Sequence, residues 1–264
     1  GLNIVSRRPD GYHNIETVFY PIPLTDSLEI VPAANNCSDT TLKCYGRTVD
    51  CPAEKNLVMK AYRIMENEFG LPPVEIHLVK HIPDGAGLGG GSSDASFCLK
   101  MLNDMFKVGL TNERLAEMAS KIGADCAFFI YNTPMMATGI GNVFSPIKVS
   151  LKGMGMLLVK PDVSVPTKAA YAQATPKPSS KPLPSILSAG IERWQSELAN
   201  DFEQSVFAQY PELASIKQSL IDEGAIYAAM SGSGSSIFGI FHNADLAEKA
   251  STKFAQHSHY VIPL

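Results

Sequence analysis

Residues 83–95 read Pro83-Asp84-Gly85-Ala86-Gly87-Leu88-Gly89-Gly90-Gly91-Ser92-Ser93-Asp94-Ala95. Five glycines and two serines stand directly before a segment with helical periodicity, in which Ala95, Cys98, Leu99, Leu102 and Phe106 share one apolar face. The chemistry this suits is phosphate binding. Without a Cβ, glycine enters positive φ and lets backbone N–H groups converge on an anion, and the unpaired amides of a helix start add partial positive charge. Ser92 or Ser93 is the expected N-cap. A second small-residue loop, Ser231-Gly232-Ser233-Gly234-Ser235-Ser236, and a carboxylate at a helix exit, Asp125 in Gly123-Ala124-Asp125-Cys126, are the other chemically suggestive features.

Familiar phosphate loops fit the first stretch poorly. A Walker A loop needs G-x-x-x-x-G-K-[ST], and the lysine is absent. Gly85, Gly87 and Gly90 match the spacing of a dinucleotide fingerprint. The acid that should follow about 20 residues on could only be Asp104, which lies on the loop's own helix rather than at the end of the next strand. A flexible surface turn accounts for the glycines but not for their ordered run into an amphipathic helix.

The elements that must position these residues follow from periodicity. Leu2–Val5, Thr17–Tyr20 and Ser27–Val31, separated by turn signals such as Arg8-Pro9-Asp10-Gly11, read as strands of a meander. A polar stretch containing Cys37 follows; Asn56 then opens a helix through Phe69, closed by Gly70, and Val74–Val79 alternates as the strand feeding the glycine loop. A helix over Thr111–Ile122 delivers Asp125. Beyond Gly155–Val159 a proline-rich connection, with Pro176–Ser185 expected to be mobile, leads to helices over Ser185–Phe207 and Pro211–Glu223. Strands Ala225–Met230 and Ile237–Phe241, helix Ala244–Gln256 and strand Tyr260–Ile262 complete the chain. The β-α-β-β-α-β order after about residue 150 predicts a ferredoxin-like α+β domain preceded by a separate α+β domain.

At 264 residues and 45% apolar composition, the chain suits one large or two modest domains. Charged residues make up 18% and the net charge is −4, so there is no basic field for nucleic acid or an anionic membrane surface. No apolar run approaches the ~20 residues that cross a bilayer. Arg7 and Arg8 follow rather than precede the first apolar residues, unlike a secretory signal, and the cytoplasm is the expected compartment. The five cysteines, Cys37, Cys44, Cys51, Cys98 and Cys126, form no C-x-x-C pair and read as reduced thiols. Cys126, beside Ala127, Phe128 and Phe129, reads as core rather than as a nucleophile.

Arg8-Pro9-Asp10-Gly11-Tyr12-His13, the glycine loop and Ser231-Gly232-Ser233-Gly234 together resemble the GHMP kinases; Asn56-Leu57-Val58 and Gly123-Ala124-Asp125 agree. The resemblance spans nearly the whole chain. It implies a two-domain α+β GHMP kinase fold, with an N-terminal ribosomal protein S5 domain 2-like domain (1–149) that binds ATP, a ferredoxin-like C-terminal domain (150–264), and the site in the cleft between them. R-x-D-G-Y-H points to the branch whose substrate is cytidyl diphosphate methylerythritol, phosphorylated on its 2-hydroxyl from ATP with Mg2+. The alternatives are a member acting on homoserine, mevalonate or a sugar, and a non-catalytic ligand-binding relative.

By the same resemblance, Pro83, Gly85, Ala86, Gly87, Leu88, Gly89, Gly90, Gly91, Ser92 and Ser93 hold the phosphates of ATP, and Asn56, Lys80 and His81 match its adenosine side. Asp125 is the catalytic base. Tyr12, His13, Asp125, Thr167, Tyr171, Ser233 and Gly234 match the alcohol substrate's contacts, and the metal ligands are unassigned. The expected partners are this small molecule, with no nucleic acid and no membrane, in a monomer or weak homodimer. The family also carries P-x-K-x-N in its first strand, a few residues before the position matching Gly1; the chain shows neither that lysine nor that asparagine, and the expectation is an N-terminus cleaved or unrecorded upstream.

Overall fold

Side-chain alternation makes its strand most plainly at Val74–Lys80, where Val74, Ile76, Leu78 and Lys80 are buried and the residues between them partly exposed. The computed structural model describes residues 1–34, 38–49, 51–179 and 181–264. Cys37, and Ser180 within the proline-rich connection, lie outside the described residues. In chain order, strands β1 (Leu2–Arg7), β2 (His13–Phe19), β3 (Ser27–Pro32) and β4 (Thr41–Gly46) precede helix α1 (Leu57–Phe69) and strand β5 (Val74–Lys80). Helices α2 (Gly90–Met105), α3 (Asn112–Ser120) and α4 (Cys126–Tyr131) then lead to hairpin β6 (Met135–Thr138) and β7 (Val143–Pro146). Strand β8 (Gly155–Lys160) is followed by α5 (Thr167–Gln173), α6 (Leu183–Ser188), α7 (Trp194–Glu197), α8 (Phe202–Gln209) and α9 (Pro211–Asp222). Strands β9 (Tyr227–Met230) and β10 (Ile237–Phe241), helix α10 (Ala244–Ser251) and strand β11 (Ser258–Pro263) complete it.

Two compact units result, neither a continuous stretch of chain. One comprises residues 1–23, 85–88 and 134–264, the other residues 24–84 and 89–133. This division differs from a cut at 149/150. Leu2, Ile4 and Ile15 share a core with Leu157, Phe202 and Phe241, and β1 docks on the chain near α8. There Asp201 accepts a hydrogen bond from the Ile4 N–H at 2.8 Å.

In the first unit, β11-β8-β10-β9 form an antiparallel sheet in the ferredoxin-like order. A second sheet has the order β1-β2-β6-β7. The turn between β6 and β7 uses Gly139 and Gly141 at φ 66° and 94°. In the other unit β5 is central, antiparallel to β3 and parallel to β4. Helices α1 and α2 supply buried Val58, Met59, Tyr62, Met65, Cys98, Leu99 and Leu102. Each large apolar side chain so buried stabilises the fold by roughly 1.5–3 kcal/mol. The Asn56 side chain caps α1 by accepting from the Val58 N–H at 2.9 Å, and Gly70 closes it at φ 66°.

Three expectations are corrected, and three strands are added. The meander does not continue into β3, which leaves β1 and β2 to pair with β5, Leu28 opposite Leu78. Strands β4, β6 and β7 are additions, in stretches to which the sequence pattern assigns no element. The helix expected over Ser185–Phe207 is broken into α6, α7 and α8: Gly190 takes φ 97°, and Asn200 and Asp201 turn aside to bind β1 and the 231–236 loop. Helix α2 begins at Gly90, capped by Gly89 in the left-handed region, so Ser92 and Ser93 lie within its first turn rather than at its N-cap.

Candidate active site

Asp125 occupies the N-cap position of the short helix α4. Its Oδ1 accepts a hydrogen bond from the Ser92 hydroxyl at 2.9 Å, and a Cβ on Gly89 would lie 3.4 Å from its Oδ2. The carboxylate of Gly123-Ala124-Asp125 and the second half of the glycine loop are thus brought together. Burial pushes the Asp125 carboxyl above the usual carboxylate range, with the Ser92 hydrogen bond opposing it. A partly desolvated carboxylate with a raised pKa is suited to receiving a proton.

Helix α2 starts here without a side-chain cap. Its first-turn amides, at Gly90, Gly91 and Ser92, carry the unpaired N–H groups that every helix start leaves. A glycine-bearing, uncapped helix start with a carboxylate and a hydroxyl alongside fits the phosphates of a nucleotide. It also fits a magnesium ion, which takes one or two carboxylates together with phosphate oxygens and water. No cluster of three or more His, Cys, Asp or Glu side chains placed to hold a metal occurs among the described residues.

Gly87 and Ala86, in the first half of the loop, rest on the 231–236 turn. The Ser231 hydroxyl donates to the Gly87 carbonyl at 2.7 Å, and the Ser236 N–H donates to the Ala86 carbonyl at 3.3 Å. Gly87 takes φ 72°, and a Cβ on it would fall 2.2 Å from the Ser231 carbonyl oxygen, so only glycine fits. Asn200, absent from the sequence expectations, holds the turn from beneath: its Nδ2 donates to the carbonyls of Met230 and Gly232 at 2.9 and 2.8 Å. The one available signal was a polar Asn200-Asp201 pair between apolar Leu198-Ala199 and Phe202.

In the same unit, the His13 and Tyr171 rings stack with centroids 5.2 Å apart, and Tyr171 meets Phe202 edge-on at 4.8 Å. Burial raises the Tyr171 hydroxyl's pKa; burial, then the nearby Arg7 charge, lowers that of the His13 imidazole. Tyr12 is 62% exposed beside them, its N–H donating to Asp10 at 3.1 Å. The Thr167 and Ser233 hydroxyls are 3.0 Å apart, next to Gly234. The residues expected to hold the alcohol therefore fall into an aromatic pair and a hydroxyl pair.

Lys80 closes β5 with its side chain turned into the interior. Its ammonium is buried and ion-paired with Asp26 and with Asp94, the latter at 2.8 Å. The Asn56 side chain is engaged in its cap, and the His81 N–H donates to Asp26 at 2.6 Å. Cys126 is fully buried, its thiol pushed up to about 11 chiefly by burial, which agrees with a core role.

Comparison with known proteins bears on this arrangement directly. The family model described as GHMP kinases N terminal domain matches residues 56–133, and GHMP kinases C terminal matches residues 186–259. The 4-diphosphocytidyl-2-C-methyl-D-erythritol kinase of Bacteroides fragilis is 55% identical over 241 residues, 91% of this chain and 88% of that protein. That of Porphyromonas gingivalis is 47% identical over 252 residues, 95% and 91% of the two chains. A crystal structure of 4-(cytidine 5'-diphospho)-2C-methyl-D-erythritol kinase superposes with a TM-score of 0.85 at 30% identity, covering 99% of this chain and 94% of that one. The chain belongs to the GHMP kinases.

As a GHMP kinase it shares the family's two-domain α+β fold, also seen at 18% identity and a TM-score of 0.71 in homoserine kinase from Cytophaga hutchinsonii. Its activity class is small-molecule kinase, an alcohol-acceptor phosphotransferase using ATP. The N-terminal family match contains Asn56, Lys80, the glycine loop and Asp125; the C-terminal match contains the 231–236 turn. Among the described residues no helix is long and apolar enough to cross a membrane.

Proposed function

We propose that this GHMP kinase transfers the γ-phosphoryl group of ATP to the 2-hydroxyl of 4-diphosphocytidyl-2-C-methyl-D-erythritol, a step of the non-mevalonate route to isoprenoid precursors. The observation that carries the mechanism is the partly buried Asp125 carboxylate held by Ser92 at the start of α2. Asp125 orients the acceptor hydroxyl and takes its proton as the phosphoryl group moves. Ser92 fixes the carboxylate's rotamer and leaves Oδ2 as the proton-accepting oxygen. The amides of Gly90, Gly91 and Ser92 hold phosphate oxygens, and Gly85, Ala86, Gly87 and Leu88 shape the rest of the cradle. Bound ATP with Mg2+ supplies the transferable phosphoryl group and neutralises its charge, and positioning and electrostatics supply most of the acceleration.

In this reading residues 1–149 carry the nucleotide, and 150–264 contribute Thr167, Tyr171, Ser233 and Gly234 to the alcohol. The aromatic platform of Tyr12, His13 and Tyr171 takes the cytosine, a contact worth roughly 1–3 kcal/mol per stacked base. The pairs Thr167–Ser233 and Ser233–Gly234 face the diphosphate. The enzyme works in the cytoplasm as a monomer or weak homodimer.

The test is turnover by the full chain with ATP, Mg2+ and each of cytidyl diphosphate methylerythritol, homoserine, mevalonate and galactose. Activity on the first alone, abolished by EDTA and restored by Mg2+, is expected. Turnover of another alcohol in preference, or none despite tight binding of ATP and the cytidyl substrate, would overturn the reading.

A further inference from the structure

Among the described residues, Asp26, Lys80 and Asp94 form a buried ion cluster whose side chains are 3%, 5% and 7% exposed. The Lys80 ammonium donates to Asp26 Oδ2 and, at 2.8 Å, to Asp94 Oδ2. The other Asp26 oxygen accepts from the N–H groups of His81 and Ile82 at 2.6 and 2.9 Å. The Lys80 carbonyl accepts from the Arg47 N–H at 3.0 Å, and the Arg47 guanidinium donates to the His81 carbonyl at 3.0 Å. Gly46 lies so close that a Cβ on it would come 2.4 Å from the Lys80 carbonyl oxygen.

These contacts converge on two places in the chain. Lys80 ends β5 and His81-Ile82 leads from it into the glycine loop, and Asp94 lies on the helix that leaves it. Burying three charges is costly unless each is paired, and an ammonium held by two carboxylates has little left to offer a nucleotide. A glycine-rich segment loses more conformational freedom on ordering than any other, so fixing both its ends restricts what it can sample.

Resting on the kinase reading above, we propose that Asp26, Lys80 and Asp94 are positioning residues that pin both ends of the phosphate loop, so that Lys80 acts on ATP through the loop and not by touching the nucleotide. The unit is cooperative: removing any member releases the same constraint.

The test uses the full chain and the non-hydrolysable analogue AMP-PNP, with calorimetric binding read beside steady-state KM values and melting temperature. Lys80→Met, Asp94→Leu and their double variant are each expected to weaken AMP-PNP and raise the KM for ATP by about 10- to 100-fold, the scale of a small misplacement. The KM for the alcohol should change little, and the double variant should be no worse than either single one. Asp94→Asn, which keeps an oxygen for Lys80, should recover most of the affinity. If Lys80 instead contacts the nucleotide, Asp94→Leu frees the lysine and leaves affinity unchanged or higher; if the cluster merely stabilises, only the melting temperature falls. Either result overturns the proposal. Should Asp94→Leu fail to fold, Asp26→Asn is read by the same criteria. Wild-type protein that binds no AMP-PNP overturns the kinase reading itself, whereas wild-type binding and turnover with indifferent variants overturns the pin alone.

Discussion

Ser231 gives its hydroxyl hydrogen to the carbonyl of Gly87, 144 residues away in the chain, at 2.7 Å. The first half of the glycine loop and the 231–236 turn are therefore one structure, and the contact dictates which residue stands at position 87. Gly87→Ala places a methyl group 2.2 Å from the Ser231 carbonyl oxygen and forces an L side chain into φ 72°. The dihedral alone costs roughly 1–2 kcal/mol, and the collision must displace one loop. The expected outcome is a higher KM for ATP and a lower melting temperature, measured by kinetics and calorimetry; unchanged values would mean the loops tolerate separation.

Asp125→Asn preserves shape and the Ser92 contact while removing the proton acceptor. Turnover should fall about 10²- to 10⁴-fold, with milder changes in KM. Near-normal turnover would remove Asp125 from the mechanism. Because burial holds the wild-type carboxyl above its ordinary 3.8, the acid side of the turnover profile should fall as pH drops through that raised value, and the Asn variant should lack this limb.

Stability should carry the mark of Asp94. Burial first, with Lys80 opposing, lifts its carboxyl from 3.8 to about 6. The folded chain therefore binds more protons there than the unfolded chain across that interval. Its contribution is fully present below the unfolded value and is lost as pH rises through about 6, a ceiling of about 3 kcal/mol. Asp26 has the opposite sign: despite burial, Lys80 and the His81 and Ile82 amides lower its pKa, so its contribution is present above the ordinary value and lost as pH falls through the lowered one. Urea melts at pH values of about 4 and about 7 should show a smaller loss on raising pH for Asp94→Asn than for wild type. Equal slopes would mean Asp94 titrates normally.

The thiols should divide by burial. Cys44 and Cys51 are exposed, whereas Cys98 and Cys126 are buried and pushed up in pKa chiefly by desolvation. Peptide mapping after brief treatment with a maleimide should find label on Cys44 and Cys51, and on Cys98 and Cys126 only in denaturant. Rapid native labelling of Cys126 would restore it as a reactive residue.

The features legible in the sequence were those whose physics is local. Asn56 announces a cap, Gly70 a stop, and Val74–Val79 a half-buried strand, because each depends on neighbours within a few residues. Gly123-Ala124-Asp125 and the glycine run announced a carboxylate and an anion cradle by type and order. Partner choice was not legible. Nothing in Ser27–Val31 says that it pairs with β5 rather than β2, and nothing near Asp26 announces Lys80, 54 positions on, as its partner. Asn200 was hidden for the same reason, since its function lies in carbonyls 30 and 32 residues downstream.

The interleaved division of the chain sets an order of assembly during synthesis. Everything the unit of 24–84 and 89–133 comprises has left the ribosome once residue 133 emerges. Strands β1 and β2 emerge before that unit, yet β2 waits for β6, and the Ile4 amide waits for Asp201. These early strands are thus among the last to be satisfied, exposing Leu2, Ile4 and Ile15 meanwhile. That is the interval in which a chaperone, or aggregation, would meet this protein.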